Sequence, residues 1–380
     1  MHLKKIMKTI TSWTKIITVN TLVLLVLLTL AEIGARIAWT AYVCYANSCD
    51  FSRLSSFKIY DDEFTEKNIG LSTYDEVLGY IPTPGFSSLI NADGWQNALV
   101  QIDSDGFRVT GNNDINLKEN GVILAVGDSF TFGDQVSNKD TWPSCIEYKA
   151  NRRTLNAGVF GYGAAQAVRR ASVITQQKNI DTIILSVLVN NDFHRDRLRF
   201  KSGFPHPAVI QSEKGLSYAE VPSIDSKGTK WHPDNPSKKL STAKKYSYLL
   251  TKILIEIGYD TTGMRRTESH KNAADLNQII EFTIRKFSSL DAKNKFIVLQ
   301  YTENDFPSLS SEVTKIIERL VLEAQLADIT VIDTYNRLQF ELLNSVNNIW
   351  NGHHTPHGNN IVCDEIFQAM QNSMKNYRSY

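Results

Sequence analysis

The chain has 380 residues, of which 42% are hydrophobic and 21% charged, a composition typical of a globular protein with one large domain and attached segments. It has 41 basic and 40 acidic residues, which leave a formal net charge of +1. These values exclude a disordered or fibrous chain. No overall charge favours a nucleic acid, so we expect no nucleic-acid partner.

An apolar segment follows four lysines near the N-terminus. It extends over residues 16–39, with TLVLLVLLTL at its centre. About 24 residues are enough to cross a bilayer, and the lysines before the segment predict a cytoplasmic N-terminus. We therefore expect residues 1–40 to form a tail and a single-pass anchor, with the remainder exported. A cleaved signal peptide is the alternative, because Thr29-Leu30-Ala31 offers small residues at a cleavage spacing.

A polar lead-in segment, 41–117, follows the anchor. Turn signals at Pro82-Thr83-Pro84-Gly85 and Asp105-Gly106 predict short strands that pack on the main domain. From Val122 onward, apolar runs alternate with helical patterns. We predict strands from Val122 and at 182–189, 295–300 and 329–332, with helices at 141–151, 273–290 and 311–327. This alternation predicts an α/β fold, in which helices cover both faces of a parallel sheet.

The alternation lapses between about 199 and 272. Residues 208–221 resemble a hairpin around Lys214-Gly215, and residues 240–257 an amphipathic helix. An insertion of this size in an α/β domain is expected to form a cap over the site.

A serine follows the first strand in GVILAVGDSFTFGD (121–134). Ligands of open parallel sheets bind outside the carboxyl ends of the strands, so Ser129 lies where chemistry is expected. The GxSxG elbow of α/β-hydrolases is disfavoured, because Thr131 replaces the second glycine. A flavin-phosphate loop and a structural turn are the alternatives from this motif alone.

Four sequence blocks, in order, resemble the SGNH, or GDSL-type, hydrolase superfamily. GDSFTFG (127–133) is similar to its first block and LNAGVFGYG (155–163) to its second. Asn191-Asp192 in LSVLVNNDF is similar to the third, and NGHHTPHGN (351–359) to the last. The resemblance covers the chain from about residue 122 to its end and implies a flavodoxin-like three-layer domain at 118–380. Leu78-Gly79-Tyr80 and Gly106-Phe107-Arg108 also resemble membrane-anchored bacterial members.

The resemblance implies acyl transfer, and the residue types suit that chemistry. Ser129 is the expected nucleophile and His353, five residues before Gly358, the expected base. The backbone N–H groups of Ser129 and Gly161 and the Asn191 side chain are the expected oxyanion hole. A turn glycine and a helix cap are the alternatives for Gly161 and Asn191.

The residue two positions before His353 departs from the family pattern. The acid that usually orients the histidine is replaced by Asn351, which can accept the imidazole N–H but supplies no negative charge. The alternatives are a Ser-His dyad with Asn support, another carboxylate that the sequence does not locate, or reduced activity. His354 and His357 are expected at the surface or lining the pocket. We expect neither metal nor other cofactor, because no acidic ligand stands among the three histidines.

We expect a serine esterase in the bacterial inner membrane, with its catalytic domain on the periplasmic side. We expect its partner to be an ester-bearing small molecule or glycan. Glycan O-acetyl groups are candidate substrates. An O-acyltransferase on a surface polysaccharide and a non-catalytic envelope binding module are the alternatives. The basic run 194–201 either contacts an anionic glycan or forms a solvated face.

Four cysteines form an even set in a chain expected outside the cytoplasm. Cys44 and Cys49 are candidates for a local bridge. In a sheet of order 2-1-3-4-5 the first and last helices lie side by side, so Cys145 and Cys363 are candidates for a long-range bridge. Two buried free thiols are the alternative for the second pair.

Overall fold

The computed structural model describes residues 2–46, 70–92, 94–111, 118–201, 204–221, 253, 273–345 and 348–376. The chain divides into two compact units. One comprises residues 1–64 and 232–268, and the other residues 65–231 and 269–380.

Helix α1, His2–Ala46, belongs to the first unit. Its segment Ile17–Ala35 has a mean hydropathy of 2.0 and is long and apolar enough to cross a membrane, a property that signal sequences share. The leucines and valines of this segment are exposed on every face of the helix. Within residues 17–35 the apolar side chains therefore do not form a single stripe, unlike those of an amphipathic helix.

The second unit is built around a five-stranded parallel sheet. Its strands, in chain order, are β5 (Lys118–Val126), β6 (Arg152–Asn156), β7 (Thr182–Leu188), β12 (Asn294–Gln300) and β13 (Thr330–Asp333). The spatial order is β13-β12-β7-β5-β6, and all four pairings are parallel. Counted along the sheet strands alone, this order is 2-1-3-4-5, so the predicted flavodoxin-like α/β fold is confirmed.

Helices cover both faces of this sheet. Alternate residues of each strand face opposite sides, so Ile123 and Ala125 pack on one layer, whereas Leu124 and Val126 pack on the other. The first layer contains α3 (Trp142–Ala150) and α9 (Pro356–Asn376); the second contains α4 (Ala164–Thr175), α6 (Leu276–Ser288) and α7 (Ser311–Leu326). Two short helices, α2 (Ser129–Phe132) and α5 (Asp192–Arg195), follow β5 and β7, and α8 (Tyr335–Asn344) follows β13.

Two hairpins of the lead-in precede the sheet. They pair β1 (Ser72–Asp75) with β2 (Gly79–Pro82) and β3 (Ser87–Ala92) with β4 (Trp95–Gln101). The Tyr80 hydroxyl donates to the Phe160 carbonyl at 2.7 Å, and the Tyr162 hydroxyl donates back to the Tyr80 carbonyl. These hydrogen bonds tie the lead-in to the loop that follows β6.

Only the beginning of the expected insertion is described. It contains β8 (Phe200–Lys201) paired with β9 (Phe204–Pro205), and β10 (Val209–Ser212) paired with β11 (Gly215–Tyr218). The second pair is the hairpin predicted around Lys214-Gly215. The helix expected at 240–257 lies outside the described residues except for residue 253, and so does most of the proposed cap.

A disulfide joins the first and last helices of the sheet unit. Cys145 in α3 and Cys363 in α9 are bonded, with their Cα atoms 6.1 Å apart. Their helices are neighbours on one face because β5 is central and α9 returns across it. For the other candidate pair, Cys49 and the Cys44 side chain lie outside the described part of the chain.

Candidate active site

The turn after β5 presents a serine at the carboxyl edge of the sheet. Gly127 and Asp128 separate the strand from α2, which begins at Ser129. A Cβ atom on Gly127 would lie 2.3 Å from Thr131 Oγ1 and 2.7 Å from the Ser186 carbonyl oxygen, so only glycine fits. The Asp128 carboxylate caps the helix by accepting from the Phe130 N–H at 2.9 Å. Gly127 and the Asp128 cap therefore shape the turn that follows the strand, and this turn places Ser129 at the first position of α2.

His353 meets this serine from the other end of the chain. Its Nε2 lies 2.9 Å from Ser129 Oγ. The histidine belongs to β15 (His353–His354), which pairs with β14 (Trp350–Asn351) through a turn at Gly352, where φ is +81°. This is the contact between nucleophile and base that serine acyl transfer requires.

The side chain of Asn351 does not support the imidazole in this structure. Asn351 is exposed and faces His353 only as its register partner in the β14–β15 pair. His353 Nδ1 is buried and has no hydrogen-bond partner among the described residues. The expected orienting contact from Asn351 is therefore absent within that part of the chain.

Asp134 places a carboxylate beside His353 instead. Its Oδ2 lies 3.8 Å from His353 Nε2, and the side chain is 6% exposed. Burial raises the pKa of Asp134 to about 6, against the opposing effect of the nearby His353 and Arg108. Asp134 ends the GDSFTFGD segment, but nothing in the local sequence pattern indicated this contact with His353.

Arg108 of the lead-in holds the turn that carries Asp134. Its guanidinium is buried and donates to the carbonyls of Phe132, Gly133 and Val136 and to Asn138 Oδ1. Burial lowers the pKa of Arg108 to about 10, so it remains a cation at neutral pH. The lead-in therefore supplies a structural part of the site.

Gln135 links the same turn to the histidine. Its backbone has a φ of +72°, and its Oε1 accepts from the His353 N–H at 2.9 Å. A Cβ on Gly94, between β3 and β4, would lie 2.0 Å from Gln135 Nε2. The Gln135 side chain is thus held between the lead-in and the histidine turn. Its positive φ, unusual for glutamine, follows from these tertiary contacts and had no signal in the sequence.

A buried ion cluster adjoins the turn that carries Ser129. Arg195 Nη1 lies 2.8 Å from Asp128 Oδ2 and 2.7 Å from Asp192 Oδ1, and it also donates to the Tyr162 carbonyl at 3.0 Å. The cluster joins the turns after β5 and β7. Arg195, which the basic run 194–201 suggested as a glycan contact or as part of a solvated face, is instead a largely buried ion-pair partner.

The two other oxyanion candidates follow the strands that flank β5. Gly161, with φ of +77°, lies in the loop after β6, and Asn191 is exposed between β7 and α5. The sheet order puts one of these loops on each side of Ser129. Sequence analysis missed Gly158 in the first loop, where a Cβ would lie 2.2 Å from the Phe132 nitrogen. That close approach seats the loop against α2.

The remaining histidines differ in their surroundings. His354 is only 2% exposed and packs edge-on against Phe130, with ring centroids 4.8 Å apart. His354 is therefore not a surface residue, because β15 turns alternate side chains to opposite sides. Burial lowers its pKa to about 3. His357 is half-buried near Glu341. Within the described ranges, no cluster of three or more potential metal ligands occurs.

No family model and no curated protein matches the chain. Among solved structures, it is similar to a lipolytic protein of the G-D-S-L family from Veillonella parvula, at 16% identity over 65% of this chain and 96% of that one, with a TM-score of 0.37. An acetylxylan esterase from Geobacillus stearothermophilus matches at 13% identity over 66% and 94%, with a TM-score of 0.35. TesA matches at 11% identity over 66% and 98%, with a TM-score of 0.38. The residue roles proposed below are argued from this chain's own geometry.

Proposed function

We propose that this chain is a serine esterase of the SGNH, or GDSL, type that hydrolyses O-acyl esters. The contact between Ser129 Oγ and His353 Nε2, at 2.9 Å, carries the proposal. Its location supports it further, because the pair lies at the carboxyl edge of a parallel sheet, beside the switch in strand order. The four sequence blocks that resemble the superfamily lie in the loops around this pair.

The first half of the reaction forms an acyl-enzyme. Ser129 Oγ attacks the ester carbonyl carbon while its proton moves to His353 Nε2. The carbonyl oxygen becomes an oxyanion, which the backbone N–H groups of Ser129 and Gly161 and the Asn191 amide stabilise. The bond to the leaving oxygen then breaks, and His353 gives its proton to that oxygen.

The second half regenerates the serine. A water molecule attacks the acyl carbon and gives a proton to His353. The bond between that carbon and Ser129 Oγ then breaks, Ser129 Oγ takes the proton from His353, and the carboxylic acid leaves. An acceptor hydroxyl in place of water would complete an acyl transfer by the same steps.

We propose further that the enzyme is anchored in the bacterial inner membrane and acts on the periplasmic side, with glycan O-acetyl groups as candidate substrates. The long apolar segment of α1 and the lysines before it support this location. An anchored, exported esterase suits a substrate of the cell envelope.

The test is turnover of a series of short acyl esters by the full-length chain in detergent, with Ser129→Ala as the control. We expect Ser129-dependent hydrolysis, with His353→Ala as inactive as Ser129→Ala and with His357→Ala retaining most activity. Equal rates for wild type and Ser129→Ala would refute the proposal. Analysis of products with an added sugar acceptor separates hydrolysis from transfer.

A further inference from the structure

The catalytic histidine has no acidic partner at the position where the resemblance implies one. Asn351 occupies that position, and its amide makes no hydrogen bond to the ring among the described residues. When Ser129 loses its proton, the imidazole becomes a cation, which neither a neutral asparagine nor an apolar wall stabilises well. The reaction therefore needs a negative charge from elsewhere.

We propose that Asp134 supplies this charge and acts as a positioning residue that stabilises the protonated His353. The inference rests on the proposed esterase function. Asp134 Oδ2 lies 3.8 Å from His353 Nε2, the nitrogen that receives the serine proton. The turn after α2 holds Asp134 close to Ser129, because the Asp134 N–H donates to the Ser129 carbonyl at 3.0 Å.

The surroundings of Asp134 fix its charge state. The groups that act on it are His353, the cations Arg108 and Arg195, and the carboxylate of Asp128. Burial raises the pKa of Asp134 to about 6, which leaves it largely ionised at neutral pH. Arg108 donates its hydrogen bonds to backbone carbonyls and to Asn138. It therefore acts on Asp134 through its charge and leaves the carboxylate open to His353.

The role of Asp134 is electrostatic, and no proton needs to reach it. The serine proton moves to Nε2, which then carries it to the leaving oxygen, and the carboxylate remains ionised throughout. An opposite charge within about 4–6 Å favours a charged group by roughly one to three pKa units. That range sets the size of the fall in kcat that we expect when the Asp134 charge is removed.

The test compares Asp134→Asn with Asp140→Asn in the full-length protein. Both variants remove a carboxylate near Arg108, but only Asp134 contacts His353. We expect Asp134→Asn to lower kcat roughly 10- to 100-fold with little change in KM, and Asp140→Asn to leave kcat near that of wild type.

The controls separate this inference from the proposed function. If wild type is no faster than Ser129→Ala, the proposed function fails and the inference falls with it. If wild type is active and Asp134→Asn equals it in kcat, the inference alone is overturned. An equal loss in Asp140→Asn would also overturn it.

A second variant decides the matter should Asp134→Asn fail to fold, as judged by circular dichroism. Asn351→Asp adds a carboxylate at the position that the superfamily uses. With Asp134 already supplying the charge, we expect this variant to raise kcat by no more than about threefold. A larger rise would mean that His353 lacked a negative partner, and would overturn the proposal.

Discussion

Asn191 offers the test of the oxyanion hole that disturbs the fold least. It is exposed between β7 and α5, and its side chain makes no hydrogen bond among those found in the described structure. We predict that Asn191→Ala lowers kcat by about 10²- to 10³-fold and leaves KM nearly unchanged, because an oxyanion donor acts mainly on the transition state. Steady-state kinetics of ester hydrolysis measure both constants. A change confined to KM would assign Asn191 to substrate binding.

His354 links the stability of the site to pH. Its pKa is lowered by burial to about 3, from an ordinary value of 6.5, so below pH 6.5 the unfolded chain binds a proton that the folded chain does not. Its contribution to stability is therefore complete above about pH 6.5 and is lost as the pH falls towards 3.

We predict that His354→Phe, which keeps an aromatic ring against Phe130, unfolds with a weaker pH dependence than wild type. Between pH 7 and pH 5 the wild type should lose about 2 kcal/mol more of its free energy of unfolding than the variant. Urea unfolding at the two pH values measures this difference. Identical losses would show that His354 is not neutral in the folded state.

At the scale of elements, the Cys145–Cys363 disulfide fastens α3 to α9. These helices adjoin the turns that carry Ser129 and His353, since α3 follows the first turn and α9 begins just after His353. Asn359 of α9 also accepts from the Trp142 N–H at 3.0 Å and donates to the His354 carbonyl. The bridge therefore stabilises the arrangement that brings the histidine to the serine.

We predict that Cys145→Ala/Cys363→Ala lowers the free energy of unfolding by roughly 2–4 kcal/mol, the usual contribution of a disulfide closing a long loop. Thermal unfolding of the variant and of wild type, each with and without reductant, measures this effect. Reductant should lower the Tm of wild type and leave that of the variant unchanged. A wild-type Tm unaffected by reductant, together with unbridged peptides in non-reducing mapping, would contradict the bridge.

Four of the five sheet strands follow from sequence patterns and the strand order follows from the family resemblance, whereas much of the site follows from neither. β-branched runs such as 122–126 and the helical periods between them determine the layers, because these patterns are local. Asp134 and Gln135 stand in a turn that is shaped by Arg108, from a segment far earlier in the chain. Their roles depend on that tertiary contact, so local spacing carried no signal for them.

Some polar residues were misjudged for a related reason. The basic run 194–201 suggested a glycan contact or a solvated face, but Arg195 turns inward because Asp128 and Asp192 provide buried partners. By contrast, the spacing to Gly358 singled out His353, whose Nε2 lies 2.9 Å from Ser129 Oγ. Spacing did not reveal that the next histidine, His354, would be buried.

For the molecule as a whole, the proposed location depends on α1, which is either a membrane anchor or a signal sequence. We predict that the chain keeps residues 1–40 and remains in the membrane pellet after an alkaline wash, because the segment Ile17–Ala35 is long and apolar enough to span a bilayer. Fractionation with intact-mass measurement tests this. A soluble protein that begins near residue 32 would identify a cleaved signal peptide instead.

The most direct test of the central claim is covalent labelling of the full-length protein by an organophosphonate ester. Such probes form an adduct with a serine that an adjacent base has activated. We predict one adduct, mapped to Ser129 by peptide mass spectrometry, absent from Ser129→Ala and formed far more slowly in His353→Ala. A folded wild-type chain that acquires no adduct at Ser129 would contradict the account and would favour a non-catalytic binding module of the cell envelope.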